Sequence, residues 1–277
     1  MKLVLFILIS VILPLSLAMA QDHDISCKAP ASPVDSRVSD VFVEGYVNAF
    51  GFPQAGGYTG RLHYLQGLLA DKKITAQKAT DIQAQIADTE KRSAEFLALD
   101  IPTQHRLYVE GLIQLRIGYL GAYLQKQNCP LTEVDVFAIS IYTGPQYEIL
   151  KHALKSGNPD ELRKYQFLID AINTGLSKIN PYEGMTRTGV NENDRDDYQL
   201  GKVFTHKSFL SSTLGAAYHN RPYQLMIKSK TGAYIAPISS APMEEEVLFK
   251  SGTAFRVLGF ENGGHVINVE EVPPEEK

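Results

Sequence analysis

The sequence predicts an α+β protein in which the helices come first and the strands afterwards, and two patterns carry that prediction. Up to Ile179, apolar residues recur at the three-to-four spacing of a helix face. After Pro181 the period changes to short β-like runs separated by Gly, Asn and Pro turns. Segregated helices and strands point to an α+β unit rather than to alternating βαβ units. The chain divides at about residue 130, giving a helical region over 21–128 and a second domain over 129–277.

The chain opens with Met1-Lys2, an apolar stretch from Leu3 to Leu17, and an A-x-A site at Ala18-Met19-Ala20, followed by the polar Gln21 to Asp24. This reads as a cleavable signal peptide over residues 1–20 and predicts a secreted protein. The apolar stretch is shorter than the roughly 20 residues a membrane span needs, and no other stretch approaches that length, so no span is expected in the mature chain. With 31 acidic against 27 basic residues, the net charge of −4 becomes −5 when Lys2 leaves with the leader, which argues against nucleic acid as a bulk partner. Cys27 and Cys129 are the two cysteines. They form either one disulfide or two free thiols, and an oxidising compartment favours the disulfide. They cannot make a zinc site alone, and no metal is expected.

Ala79, Ile82, Ile86, Ser93, Phe96 and Leu97 mark one helix, and Leu107 to Leu124 a second, more apolar one. Asp71-Lys72-Lys73 and Asp100 to Thr103 read as turns. Phe50 to Gly60 is glycine-rich but lacks a Gly-Lys-Ser/Thr ending and a preceding strand, so it reads as a loop rather than a phosphate cradle. Thr132 and Asp135 form a capping box for a helix to Tyr142. Asn158 caps another, with Pro159 in its first turn and Leu162, Tyr165, Leu168, Ala171, Ile172, Leu176 and Ile179 on its apolar face. Strands are expected at 184–189, 203–211, 223–228, 234–238, 246–249, 253–259 and 265–272.

Three short motifs carry chemistry. Glu244-Glu245-Glu246 opens an apolar strand; in an extended strand residues two apart share a face, so Glu244 and Glu246 flank one spot. Paired carboxylates suit chemistry at a glycosidic carbon, although an isolated E-x-E is most often an acidic surface turn. Upstream lie Met185-Thr186-Arg187-Thr188-Gly189 and Phe209-Leu210-Ser211-Ser212-Thr213. Arg187 is 24 residues before Ser211, and Ser211 is 35 before Glu246. A fourth segment, Ile139 to Gly144 followed by Tyr147 and Leu150, precedes them.

In that order these segments resemble the mono-ADP-ribosyltransferases of the Arg, Ser-Thr-Ser, Glu-x-Glu type, over about half the chain, from Glu133 to Val272. The chain departs from the family pattern at Thr186, where many members carry Tyr; at the extra Thr188; at Ser212 and Thr213, which exchange hydroxyl types; and at Ala241, where many relatives place an aromatic residue that helps recognise the target protein, a role left here to Met243 and a flexible Ser239-Ser240 stretch. The resemblance implies a helical lobe against two packed antiparallel sheets, with NAD as substrate in the cleft between them.

It also implies roles. Arg187 would hold a phosphate of NAD through its planar fork of donors. Ser211 would orient Glu246, with Ser212 beside it at the cofactor. Glu246 would bind the ribose 2′-hydroxyl and stabilise an oxocarbenium ion as nicotinamide leaves. Glu244 would position and help deprotonate the nucleophile. Glu rather than Gln at that position goes with arginine acceptors, because a carboxylate pairs with a guanidinium and a neutral amide does not. The expected activity is therefore transfer of ADP-ribose from NAD to arginine on a target protein, plausible for a toxin. The alternatives are an NAD glycohydrolase, with water as acceptor, and a catalytically idle secreted binding protein. The seven histidines are scattered and form no triad with Ser211.

Overall fold

The computed structural model describes residues 24–28, 38–52, 58–71, 73–126, 129–144, 146–215 and 221–272. The expected leader lies outside the described residues, as do residues 53–57 of the glycine-rich stretch and Lys72 of the first turn. The described residues fall into two compact units, one within 38–118 and the other within 24–28 and 119–272.

The first unit is helical: α1 (Asp40–Phe50), α2 (Tyr58–Leu69), α3 (Ala76–Leu97) and the start of α4 (Ile101–Lys126). Ser39 and Thr75 cap α1 and α3 by accepting from the amides of Phe42 and Lys78. On α3 the expected stripe buries Ile82 and Phe96, and Thr89 joins them, donating to the Gln85 carbonyl at 2.6 Å. Leu97, at the last position of the helix, is 53% exposed instead. The segment from Asp100 to Thr103 is not a free turn. Asp100 accepts from the Thr103 amide at 2.9 Å and its hydroxyl at 2.8 Å, so α4 begins at Ile101, six residues before the expected start, with Pro102 in its first turn.

In the second unit α5 (Glu133–Tyr142) carries the expected capping box: the Thr132 amide donates to Asp135 at 2.7 Å and the Asp135 amide to Thr132 Oγ1 at 3.1 Å. A separate helix, α6 (Tyr147–Ser156), ends where Gly157 turns left-handed at φ 66°, a conformation that favours glycine. Asn158 then caps α7 (Pro159–Lys178), as its sequence predicts. Leu168, Ile172 and Leu176 are buried on its inner face. Close packing of α7 on α5 depends on Gly175, where a Cβ would lie 3.0 Å from Ile139 Cδ1 and 3.1 Å from Asp135 Cβ. The buried Asp135 is neutralised by Lys178 at 2.5 Å.

Residues 24–28 pair with the end of α7: the Lys28 amide donates to Lys178 and the Asn180 amide to Ser26, both at 2.8 Å. A disulfide joins Cys27 to Cys129, 102 residues apart. A cross-link of that span restricts the unfolded chain, so the double variant Cys27→Ser/Cys129→Ser should lose about 2–5 kcal/mol of stability. Urea unfolding of the two proteins checks this, and an unchanged midpoint would rule it out.

Eight strands follow: β1 (Gly184–Val190), β2 (Val203–His206), β3 (Leu210–Thr213), β4 (Tyr223–Ser229), β5 (Ala233–Tyr234), β6 (Glu246–Phe249), β7 (Thr253–Glu261) and β8 (Val266–Val272). They form a ladder in the order β2-β7-β8-β4-β1-β3-β6-β5. The two sheets that the resemblance implied are here one eight-stranded sheet, continuous across a seam between β1 and β3, where Arg187 stands opposite Thr213. One pairing, β4 with β8, is parallel rather than antiparallel. The run expected over 203–211 is two strands, because β2 pairs with β7 and β3 with β6 on opposite sides of that seam. The strand expected over 234–238 stops at Tyr234, and Ala236–Ile238 becomes a 3-10 turn around Pro237, which has no N–H to give a ladder. Leu225, Ile227, Val247, Phe249, Phe255, Val257, Ile267 and Val269 form the core of the sheet.

Candidate active site

Glu246 is the first residue of β6 and is 4% exposed. The residues before it are not strand. Pro242–Glu244 is a 3-10 turn, closed by the Glu244 amide on the Ala241 carbonyl at 3.0 Å, and Glu245 is left-handed at φ 45°. Alternation along a strand is therefore not what pairs the carboxylates. A reversal at Glu245 is, and it still leaves both Glu244 and Glu246 lining one cavity.

The register of β3 against β6 places Thr213 opposite Glu246 and Ser211 opposite Leu248, so Ser211, Thr213 and Glu246 share a face. Ser211 faces the Glu246 carboxylate and draws its pKa down. Ser212 points to the other face, and its hydroxyl donates to the Val247 carbonyl at 2.8 Å. That bond ties Ser212 to the β6 backbone.

Thr213 has a part the sequence motif did not single out. Its hydroxyl donates to the Glu244 carbonyl at 2.5 Å and accepts from the Gly215 amide at 2.9 Å. The Gly215 carbonyl in turn accepts from Arg187 Nε at 2.6 Å. One hydroxyl thus joins the turn bearing Glu244 to the loop that orients Arg187. With Nε held, the two terminal nitrogens of Arg187 have no partner among the described residues and can present a fork to an anion.

The cavity measures about 470 Å³ and is lined by Arg187, Ser211, Glu244 and Glu246, with Ser212 also in its wall but its hydroxyl turned on to the Val247 carbonyl. Its remaining walls include Tyr142, Thr143, Gly144 and Tyr147 from the fourth segment, with Lys151, Lys155, Asn191, His206, Phe209 and Arg221. Tyr142 is buried, with its ring edge-on to those of Tyr147 and Phe209 at 5.5 and 5.0 Å. Its hydroxyl has no hydrogen-bond partner among the described residues. A buried donor left unmade costs about 1–3 kcal/mol, so a polar ligand atom there would be favoured. Lys151 sits over the Tyr147 ring at 4.8 Å, and Arg221 donates to Asn191 at 2.7 Å. Cations for a pyrophosphate, aromatic faces for a flat ring and a buried carboxylate for a cationic sugar are together what NAD requires of a site.

Burial pushes the Glu246 carboxyl up from its ordinary 4.5 to about 7, against the Ser211 hydrogen bond, which lowers it, while the charge of Glu244 adds to the rise. Burial also raises Glu244, and it raises Tyr142 with help from Tyr147 and Glu246. The native state therefore holds the Glu246 proton more tightly than the unfolded chain does, so this group's contribution to stability falls as pH rises from about 4.5 to 7. Only the ionised form can stabilise a cation. The rate of glycosidic cleavage should therefore rise with a midpoint near pH 7, being about a tenth of its plateau one unit below. In Ser211→Ala the midpoint should move higher, and a pH–rate profile with no step between pH 6 and 8 in either protein would contradict this.

Among the described residues no cluster of His, Cys, Asp or Glu could hold a metal ion. No described helix is long and apolar enough to cross a membrane. Ser239 and Ser240, expected to be flexible, are hydrogen-bonded, and Met243 at the crest of the turn is 61% exposed.

The model of the ADP-ribosyltransferase exoenzyme family matches residues 76–272. Over 137 residues the chain is 32% identical to a protein named as an NAD(+)–arginine ADP-ribosyltransferase, Mav of Mycobacterium avium (strain 104), covering 47% of this chain and 16% of Mav. Over 148 residues it is 26% identical to Exoenzyme T of Pseudomonas aeruginosa, covering 50% of this chain and 31% of that protein. It thus spans less than a third of either curated relative. Its fold is similar to that of the type III effector XopAI from Xanthomonas axonopodis pv. citri, with a TM-score of 0.50 and 18% identity, over 80% of this chain and 100% of the truncated effector.

Proposed function

Because the chain belongs to the ADP-ribosyltransferase exoenzyme family, we propose that it transfers ADP-ribose from NAD to an arginine side chain of a target protein and releases nicotinamide. The observation that carries this reading is the convergence of Glu244, Glu246, Ser211 and Arg187 on one cavity. Arg187 binds a phosphate of NAD through its terminal nitrogens. Glu246, oriented by Ser211, accepts from the ribose 2′-hydroxyl. As the bond between ribose C1′ and the nicotinamide nitrogen breaks, its electron pair leaves with nicotinamide, and Glu246 stabilises the oxocarbenium ion that remains. A guanidinium nitrogen then attacks C1′ and gives its proton to Glu244.

Glu244 suits that task because its carboxyl is half-buried at the cavity edge, where a protein side chain can approach, and because burial raises its pKa toward that of a working base. The 32% identity to Mav supports arginine as the acceptor. Export through the leader over residues 1–20 belongs to the same proposal, supported by a disulfide of the kind that persists in oxidising compartments. A secreted, toxin-like role is part of the same proposal.

The test is incubation of the mature protein with NAD, with and without agmatine as an arginine mimic. ADP-ribosyl-agmatine formed in step with nicotinamide supports transfer. Nicotinamide and free ADP-ribose in equal amounts, with agmatine untouched, would establish a glycohydrolase, and no nicotinamide release would establish a binding protein.

A further inference from the structure

The turn that presents Glu244 is fixed at both ends. At Glu244 itself the carbonyl accepts from Thr213 at 2.5 Å. At the other end Ser240 reaches the C-terminal end of α5, 97 residues earlier in the chain. There the Ser240 amide donates to Thr143 Oγ1 at 2.8 Å, the Ser240 hydroxyl donates to the Thr143 carbonyl, and Thr143 Oγ1 donates to the Ser140 carbonyl at 3.0 Å. Every proton in this set has an acceptor, and a carbonyl left over at a helix end is satisfied by a residue from a distant segment. Ser240 is followed directly by Ala241, whose amide donates to Ser239 Oγ at 3.1 Å, and by the 3-10 turn Pro242–Glu244, whose crest at Met243 is 61% exposed.

Thr143 and Gly144 line the same cavity as Glu244 and Glu246. The wall against which NAD would lie and the turn that would receive the acceptor are therefore joined through one pair of side chains. Ser240 is exposed, so water competes for its bonds and the joint can open at low cost. We propose that Thr143 and Ser240 form a latch that positions Glu244 relative to NAD bound in the cavity, and so sets how the ribosyl group is shared between arginine and water. The latch rests on the function proposed above. Its residues are positioning residues. With the latch closed, Glu244 stands beside C1′ and directs a guanidinium; with it open, the ribose chemistry at Glu246 continues and water is the acceptor.

Ser240→Ala removes the hydroxyl from an exposed position where the fold does not depend on it. Relative to the parent, kcat/KM for agmatine should fall by about tenfold, the scale of a lost hydrogen bond that orders a reacting group. NAD hydrolysis without agmatine should stay within about twofold, because Glu246 is anchored separately through β3. Hydrogen exchange over residues 239–246 should quicken, and Ser240→Thr, which keeps the hydroxyl, should restore both exchange and transfer. If Ser240→Ala transfers to agmatine as well as the parent, or loses transfer and hydrolysis in parallel, the latch is overturned while the arginine reading stands. A parent that hydrolyses NAD but never modifies agmatine overturns the acceptor reading and, with it, the partition assigned to the latch.

Discussion

Glu246→Gln should lower nicotinamide release and ADP-ribose transfer together, each by about a thousandfold, which is the scale of removing one preorganised electrostatic group from a transition state. The amide has the volume of the carboxyl and can still accept from Ser211, so the side chain stays in place and only the charge is lost. NAD affinity should change little, because the positive charge on the sugar exists in the transition state and not in the bound substrate. Folding gives a further sign. Above pH 7 the wild-type protein bears the cost of a buried carboxylate at 4% exposure, and the neutral amide does not, so the variant should be at least as stable there. Retained hydrolysis in a folded Glu246→Gln protein would remove this residue from the chemistry.

Glu244→Gln separates the two carboxylates. Transfer to agmatine should fall by at least about a hundredfold while hydrolysis of NAD persists within a few-fold, since the ribose chemistry is untouched and the guanidinium loses both its partner and its base. The turn geometry supports this separation: Glu244 hangs on the Thr213 and Ser240 anchors, outside the strand that holds Glu246. Loss of both activities together would mean that the carboxylates act as one unit around the ribose, and intact transfer would reduce Glu244 to part of an acidic turn.

The capped helices were legible in the sequence because their signals are local. Thr132 and Asp135, and Asn158 with the amides of Asp160 and Glu161, lie within four residues of the groups they satisfy. The start of α4 was misplaced because Asp100 and Pro102 serve equally in a turn and at a helix N-terminus; the bond to Thr103 decides between them. Three motifs single out five candidate residues, and all five line one cavity. What periodicity could not show was how Glu244 reaches it, since a left-handed Glu245 carries no sequence mark and breaks the alternation. Thr213 and Ser240 were legible only as hydroxyls. Their partners lie 31 and 97 residues away, distances at which no local pattern reports a hydrogen bond. Nor does the pattern of strands reveal that β4 and β8 run parallel, because apolar alternation reads the same in either direction.

Arginine as acceptor is the central claim, and the most direct test is to incubate the mature protein with isotopically labelled NAD and a lysate of candidate target cells, then locate the label by mass spectrometry. ADP-ribose on arginine side chains, reduced to background in Glu246→Gln controls, is the predicted result. Label on asparagine or another side chain, or only as free ADP-ribose, would contradict it.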